Sequence, residues 1–370
     1  MRDVTHLLSA RKDHRQVATS IREIAMELGV SRTTVWRALN DLPRVDEDTK
    51  ARVLQLAKEK GYNSGEATRK FIARRVSNIQ FLVYDYKRLT YPFFYETLRG
   101  VQEVLWQYNC NIQVTSANTV STVSGSCLPD VCSMKKNFIK GLIVFGVDLK
   151  HEDLKRLKKL HIPFMLLNSV PKDLDDDICY LYTDYEAGMY AATHHLIQIG
   201  HRKIAFINGS MELLVDYEKL KGYRRALYEA GLVFDKDYVI KGNYSWEDAL
   251  KIARQTIDRN DRPTAIICAD DTMALGAIAA IEDAGLRVPK DVAVVGFNDL
   301  QFAAISRPPL TSVSISAYNM GQLAAKMFMS LMAGKKTEPC HTILEPKLVV
   351  RASCGAKCRK DNLANNRKIL

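Results

Sequence analysis

Long apolar runs are absent from this chain of 370 residues, in which no stretch of 18 apolar residues occurs. The amino-terminal region also lacks the apolar core of a secretion signal. We therefore expect a soluble cytoplasmic protein that makes no use of a membrane.

Motifs of the common enzyme classes are absent too. No G-x-G-x-x-G follows any strand-like segment, which argues against a bound dinucleotide. No phosphate-binding loop occurs, and no histidine is placed by sequence to act as a base for Ser210, which stands near Asp216 outside any G-x-S-x-G. We therefore expect neither catalysis nor a cofactor.

Cysteine and histidine residues at the spacing typical of metal ligands are also absent from the sequence. The eight cysteines are scattered, and Cys354 and Cys358 have no paired Cys/His set beside them. His194 and His195 are adjacent, so they cannot share one face of a helix, and we interpret His195 as a packing residue. Reduced thiols and no metal site are the expectation.

Positive charge is what the chain has in excess, with a net charge of +11. Residues 1–75 hold 16 Lys and Arg against 10 Asp and Glu, and residues 356–370 hold five against one. The long middle is therefore nearly neutral. A basic amino-terminal region followed by a nearly neutral region predicts a polyanion-binding domain joined to a domain with a different function.

A first short helix is predicted after Ser20, a plausible N-cap that forms a capping box with Glu23. Gly29 would end this helix by allowing a left-handed residue. The apolar stripe recurs at i, i+3, i+4 and i+7, at Ile21, Ile24, Ala25 and Leu28.

A second helix is predicted after Ser31, which would cap it. Its inward-facing residues are Val35, Ala38 and Leu39, and its outward-facing ones are Arg32, Thr33, Trp36 and Arg37. Two helices joined at a glycine, the second showing cationic and hydroxyl side chains, are typical of a helix-turn-helix that enters the major groove of DNA. The alternative is two amphipathic surface helices of an ordinary domain.

A third helix completes the predicted headpiece over residues 19–62, with a charged first turn at residues 46–48 and Val53, Leu54 and Ala57 facing inward. Residues 1–18 show no period and are interpreted as a flexible extension. Residues 63–77 are interpreted as a hinge or linker, since Asn-Ser-Gly opens them and a strongly basic segment follows.

From residue 78 to residue 355 apolar strands alternate with amphipathic helices, and the pattern restarts near residue 202. This alternation predicts doubly wound parallel sheets in two α/β subdomains, about 78–178 with 312–345, and 179–311. Residues 356–370 form a basic tail without leucine heptads, so no tetramerising coiled coil is expected and a homodimer remains.

Several motifs together resemble the lac/gal repressor (LacI/GalR) family of bacterial transcription regulators. They are GVSRTTVWRALN in the second helix, KLKGYRRALYEAGL, ADDTMALGAIAAIEDAGLRVPKDVAVVGFND and PPLTSVSISAYNMGQLAAKMF. The resemblance covers nearly the whole chain. It implies a helix-turn-helix headpiece on a periplasmic-binding-protein-like core, with PPLTSV as a crossover strand.

The resemblance also implies which residues touch DNA. Arg32 and Thr33 would read bases, since arginine forks onto guanine and threonine reads by its hydroxyl or methyl group. The remaining predicted contacts, mostly to phosphate or in the hinge, are Ser31, Thr34, Trp36, Arg37, Asn40, Arg69 and Phe71. Trp36 stands where the family has a small phosphate-contacting serine, and Phe71 where it has a leucine that wedges into the minor groove.

The cleft between the two subdomains is the natural site for a small effector, because ligands of such folds bind at the carboxyl ends of the strands. Matching the family's motifs residue by residue gives Phe94, Lys219, Asp270 and Asn298. Asn168, and Tyr84 or Asp85, are added because they stand at predicted strand ends. Lys219 and Asn298 depart from the family's usual arginine and aspartate, but an ammonium and an amide are still groups that bind sugar hydroxyls. We expect Lys219 and Asp270 to face each other across a polar cleft.

The sequence therefore predicts a dimeric, sequence-specific DNA-binding regulator, a repressor controlled by a small metabolite, most simply a sugar. Two alternatives use the same α/β scaffold. A sugar-binding protein of a transport system would need a secretion signal and no headpiece. An enzyme would need a nucleophile and base or a phosphate loop.

Overall fold

The computed structural model describes residues 21–39, 45–60, 77–83, 89–116, 139–147, 149, 151–171, 178–211, 213–334 and 341–356. The chain divides into two compact units, residues 1–76 and residues 77–370. No helix among these described residues is both long enough and apolar enough to cross a membrane.

The described residues of the first unit form three helices around a small apolar core. They are α1 (Ile21–Leu28), α2 (Arg32–Leu39) and α3 (Glu47–Glu59). Gly29 lies between α1 and α2 with φ +65°, which a glycine adopts without strain. The backbone N–H of Thr34 donates to the Ser31 Oγ at 3.0 Å, so the prediction that Ser31 caps α2 is confirmed.

The inward faces of α1 and α2 are confirmed, because Ile24, Ala25, Val35 and Ala38 are buried together. One prediction for α3 is wrong: Leu54 is 46% exposed, whereas Val53 and Ala57 are buried. The positions buried or half-buried on α3 are 49, 50, 53, 56 and 57, which follow the 3.6-residue period, and residue 54 falls outside that stripe.

The described residues of the second unit form two six-stranded sheets. The first sheet has the order β11-β5-β4-β3-β1-β2 and the second the order β12-β10-β9-β8-β6-β7. The strands are β1 (Ser77–Val83), β2 (Cys110–Ser116), β3 (Ile139–Phe145), β4 (Phe164–Leu167), β5 (Tyr180–Thr183), β6 (Ile204–Asn208), β7 (Val239–Lys241), β8 (Ala265–Cys268), β9 (Ala293–Asn298), β10 (Thr311–Ser314), β11 (His341–Leu344) and β12 (Lys347–Val349).

Helices connect these strands. They are α4 (Pro92–Gln107), α5 (His151–Lys159), α6 (Tyr185–Gln198), α7 (Leu214–Glu229), α8 (Trp246–Ile257), α9 (Asp271–Asp283), α10 (Gln301–Ile305) and α11 (Ala317–Met332). All described strand pairs are parallel except β10 with β12, which is antiparallel. The predicted fold class is therefore confirmed, with one antiparallel edge strand added.

The predicted subdomain boundaries differ from the observed sheets. The sequence-based division placed residues 179–183 in the second subdomain, but β5 pairs with β4 in the first sheet. It placed residues 312–314 in the first subdomain, but β10 pairs with β9 in the second sheet. Hydrophobic alternation identifies a strand but does not identify the strands that pair with it. Each of the two predicted boundaries is therefore misplaced by one strand.

Glycines allow the closest helix contacts. A Cβ at Gly100 in α4 would lie 2.1 Å from the carbonyl oxygen of Tyr318 in α11, and a Cβ at Gly321 in α11 would lie 2.1 Å from the carbonyl oxygen of Thr97. The two backbones therefore touch directly. This contact holds α11, which follows β10 of the second sheet, against the first subdomain.

Candidate functional site

The candidate effector site is a cleft at the carboxyl ends of both sheets. It encloses about 600 Å³, part of which is open to solvent. The lining residues are Tyr91, Pro92, Phe93, Phe94, Phe145, Asn168, Tyr185, Leu213, Val215, Lys219, Tyr244, Asp270, Asn298 and Leu300. The five described residues chosen from the sequence as effector contacts all line this one cleft, although their contact with a ligand stays a prediction. Tyr84 and Asp85 lie outside the described residues.

Lys219 places a buried ammonium in the wall of the cleft. Its Nζ donates to the carbonyl oxygen of Ala269 at 2.9 Å, and the residue is 2% exposed. Three aromatic rings surround the ammonium, with centroids 4.6 Å away at Phe297, 5.2 Å at Tyr185 and 5.4 Å at Tyr244. Cation–π attraction to these rings compensates part of the cost of burying the charge.

Asp270 lies beside Lys219 and is the N-cap of α9. Its Oδ1 accepts the backbone N–H of Met273 at 2.7 Å, as expected of an N-cap. Burial raises the pKa of Asp270 to about 6, against the opposing effects of the Met273 hydrogen bond and the Lys219 charge. Both residues belong to the second subdomain, so the expectation that they face each other across the cleft is wrong.

Asp271, the next residue, is a buried carboxyl behind the wall. It accepts the backbone N–H of Leu300 at 2.7 Å and the Ser312 hydroxyl at 2.5 Å. Burial raises its pKa to about 8. Asp271 therefore fixes the loop that follows Asn298, the last residue of β9, to β10.

The contribution of Asp270 and Asp271 to the free energy of unfolding of the core should fall as pH rises between about 4 and 8. Unfolded aspartates titrate near pH 3.8, whereas Asp270 and Asp271 titrate at about 6 and about 8 in the fold. The folded chain therefore binds more protons between these values, and the stabilisation present below the unfolded pKa is lost as pH rises through the folded pKa values.

Urea unfolding at about pH 5 and pH 8 measures this effect, with Asp271→Asn as the comparison. Burial lowers the pKa of His195 and His201, so these histidines make the free energy of unfolding rise with pH. The contribution of Asp271 is therefore the slope of the free energy of unfolding against pH in the wild type minus the same slope in the variant. Equal slopes for both proteins would contradict the role assigned to Asp271.

Asn168 and Tyr185 join the end of β4 to the start of α6. The Tyr185 hydroxyl donates to the Asn168 Oδ1 at 2.7 Å. Asn168 has φ +56°, a left-handed conformation that asparagine tolerates better than most residues. The Tyr185 ring stacks on that of Phe297 in the second sheet, with 5.8 Å between the ring centroids. Tyr185 therefore links Asn168 of the first subdomain to Phe297 of the second beside the cleft.

Aromatic rings dominate the remaining wall. Phe94 is 3% exposed and packs edge-to-face on Phe81 and Phe145, at 5.8 and 5.5 Å. Phe93, the preceding residue, is less buried and also lines the cleft. Sequence reasoning selected only Phe94, because an apolar residue that lines a cleft has the same pattern as one that fills a core.

Tyr244 was also missed, and it connects the two walls. Its ring lies 5.9 Å from that of Tyr91, across the cleft. Its hydroxyl donates to the Asp216 Oδ1, and the Asp216 Oδ2 accepts the Ser210 hydroxyl at 3.0 Å. Tyr244 has φ +57°, an unusual value for a bulky residue that the surrounding contacts maintain.

In the first unit, α2 presents the predicted base-reading residues. Arg32 and Thr33 are exposed, and Thr34 and Arg37 are half-buried. Ser31 is exposed, but its hydroxyl is engaged in capping. The side chain of Trp36 and the residues Asn40, Arg69 and Phe71 lie outside the described part of the chain.

Among the described residues, His195 and Cys354 pack against each other. His195 Nε2 lies 3.5 Å from the Cys354 Sγ, as fits a packing residue. Cys110, Cys179, Cys268 and Cys354 are buried and form no disulfide. Among the described residues, no group of three or more His, Cys, Asp or Glu is arranged to hold a metal ion.

Comparison with known proteins gives two matching family models. Residues 20–64 match the model described as "Bacterial regulatory proteins, lacI family". Residues 193–354 match the model described as "Periplasmic binding protein-like domain". The two models correspond to the three-helix unit and to the greater part of the two-sheet unit.

Relatives align along nearly the whole chain. The HTH-type transcriptional regulator RegA of Clostridium saccharobutylicum is 32% identical over 338 residues, which cover 91% of this chain and 99% of RegA. The HTH-type transcriptional repressor PurR of Photobacterium profundum is 32% identical over 337 residues, covering 90% and 98%. The structure of the transcriptional regulator CelR–cellobiose complex is similar, with 27% identity, a TM-score of 0.65 and coverage of 90% and 99%.

Proposed function

The chain belongs to the lacI family of bacterial transcription regulators, and from that premise we propose that it represses transcription at a specific DNA operator under the control of a bound sugar. Five residues selected from the sequence converge on one cleft, which is the observation that carries the proposal. The similar CelR structure is a complex with cellobiose.

The chemistry of the cleft supports a ring-shaped polar ligand. Aromatic faces stack on the apolar faces of a sugar ring, while an ammonium, a carboxylate and two amides are available for its hydroxyls. Lys219, Asp270 and Asn298 belong to one subdomain and Asn168 follows a strand of the other. A ligand touching both sets changes the angle between the subdomains and, in a cytoplasmic homodimer, the alignment of the paired hinges at residues 63–77.

Selection of bound DNA from a random pool tests this proposal directly. The full-length chain should enrich a near-palindromic site whose half-sites lie about one helical turn apart. Repeating the selection with a panel of sugars should identify one that changes retention of that site. Absence of any enriched sequence would contradict the proposal, and enrichment that no sugar alters would contradict its sugar-sensing part.

Arg32→Ala should weaken binding to the selected site about tenfold while leaving binding to random duplex nearly unchanged. Arginine donates two hydrogen bonds to a guanine edge, and one such pair discriminates by about 1–3 kcal/mol. Titration of both duplexes with the full-length chain measures the two affinities.

Arg52→Ala provides the control, since Arg52 is an exposed arginine of the same unit on α3. We expect it to affect both duplexes alike and weakly. If Arg32→Ala weakened both duplexes equally, Arg32 would contact phosphate and not a base.

A further inference from the structure

The edge of the first sheet at which its strands begin carries exposed positive charge. The parallel strands β1, β3 and β4 begin together at this edge, since Asn78 pairs with Ile139 and Leu142 with Phe164. We call it the amino edge, formed by residues 77–78, 110–111, 139–140 and 160–164. The chain arriving from the helix-turn-helix unit enters the core here, at Ser77.

The last turn of α5 also lies at the amino edge. This helix connects the neighbouring parallel strands β3 and β4, so it runs antiparallel to them and ends beside the start of β4. Leu154 and Leu157 bury its inner face. Its last turn exposes Arg156, Lys158 and Lys159, and Lys140 is exposed near the start of β3.

Acidic side chains are absent from the amino edge within the ranges that the structure describes. The last turns of α4, α5 and α11 and the first residues of β1 to β4 contain none. Glu152 and Asp153 lie in the first turn of α5, at its other end. Four aspartates at residues 173–177 precede β5 and are outside the described residues.

We propose that the amino edge binds the phosphate backbone of the DNA that the helix-turn-helix unit holds. This inference rests on the proposed DNA-binding function and adds a second DNA contact, on the core. Exposed lysines and arginines bind phosphates by releasing counterions, which gives affinity without sequence preference.

Covalent connection favours DNA over other polyanions as the partner. Residues 61–76 join α3 to β1, and 16 residues span at most about 55 Å when fully extended. Once the first unit is on DNA, the amino edge is therefore held at a high effective concentration near the same duplex. A free phosphorylated protein would not have this advantage.

Lysine acetylation tests the contact in the unmodified full-length chain. The protein is treated with acetic anhydride alone, with a duplex selected from a random pool by the protein itself, and with a random-sequence duplex. We expect several-fold slower acetylation of Lys140 and Lys159 with either duplex. Lys251 and Lys290, exposed on the second subdomain, should keep their rates.

A triple variant, Lys140→Gln with Arg156→Gln and Lys159→Gln, provides a second measurement. Its plot of log affinity against log salt should lose about 0.9 in slope for each phosphate contact removed, on both duplexes. The matched control replaces Lys251, Arg262 and Lys290 by Gln, all exposed on the second subdomain, and should keep the wild-type slope.

Unprotected lysines together with a wild-type slope in the first triple variant would overturn the inference, and so would equal loss in both triple variants. In either case a wild-type chain that still selects a DNA site leaves the proposed function standing. A wild-type chain that binds neither duplex would overturn both.

Discussion

Lys219→Met should weaken ligand binding tenfold to a hundredfold, and Asp270→Asn should do the same. Each change leaves polar groups of the ligand unpaired in a desolvated cleft, at a cost of about 1–3 kcal/mol. Methionine keeps the length of the buried side chain among the aromatic rings, and asparagine keeps an oxygen that can cap α9. The fold is therefore retained, and affinity for the operator without ligand should stay at its wild-type value.

Lys221→Met is the matched control for this experiment. Lys221 lies on the same helix two residues later, is exposed, and pairs with Glu186 at 3.3 Å. Operator binding is measured with and without the sugar identified by selection, for all three variants. An unchanged ligand response in Lys219→Met and Asp270→Asn would mean that the ligand binds elsewhere.

Gly100→Ala should lower the free energy of unfolding by about 3 kcal/mol, at the upper end of the usual cost of overpacking. In the interior of a solvent-exposed helix the same change stabilises the fold by roughly 1 kcal/mol. Here the added Cβ would lie 2.1 Å from a backbone oxygen of α11, which cannot rotate away as a side chain can. The steric cost therefore exceeds the gain in helix propensity.

Thermal and urea unfolding measure this change against Gly231→Ala. Gly231 has open space around its Cβ position but a φ of +67°, so alanine there should cost only about 1 kcal/mol of backbone strain. A stabilised Gly100→Ala variant would show that α4 and α11 can separate without penalty.

Most of the fold could be predicted from local sequence patterns. The helix-turn-helix followed from one apolar stripe, a capping serine and a glycine, and the long apolar runs predicted the central strands. The short strands β7 and β11 went unassigned, because VIK and HTIL are brief and only partly buried. Assignment of β5 and β10 to the wrong subdomains has the same origin, since strand pairing depends on contacts far apart in sequence.

The sequence located the polar residues of the candidate site but, apart from Phe94, not its aromatic residues. Asp270 and Asn298 stand in motifs that mark a helix start and a strand end, and Lys219 stands in the helix motif KLKGYRR, so a resemblance could locate all three. Phe93 and Tyr244 carry no such motif, because their exposure to the cleft depends on how the two sheets are placed. The left-handed φ of Tyr244 likewise arises from its contacts with Asp216 and Tyr91, which no local pattern encodes.

The last two strands have a consequence for biosynthesis. β11 completes one side of the first sheet and β12 completes one side of the second, only two residues apart. Until β11 and β12 have been synthesised, β5 and β10 therefore both present an unpaired side, which is the kind of edge that recruits other strands. A premature stop codon before residue 341 would leave both subdomains in this state at once, so a truncated product should depend on chaperones along its whole core.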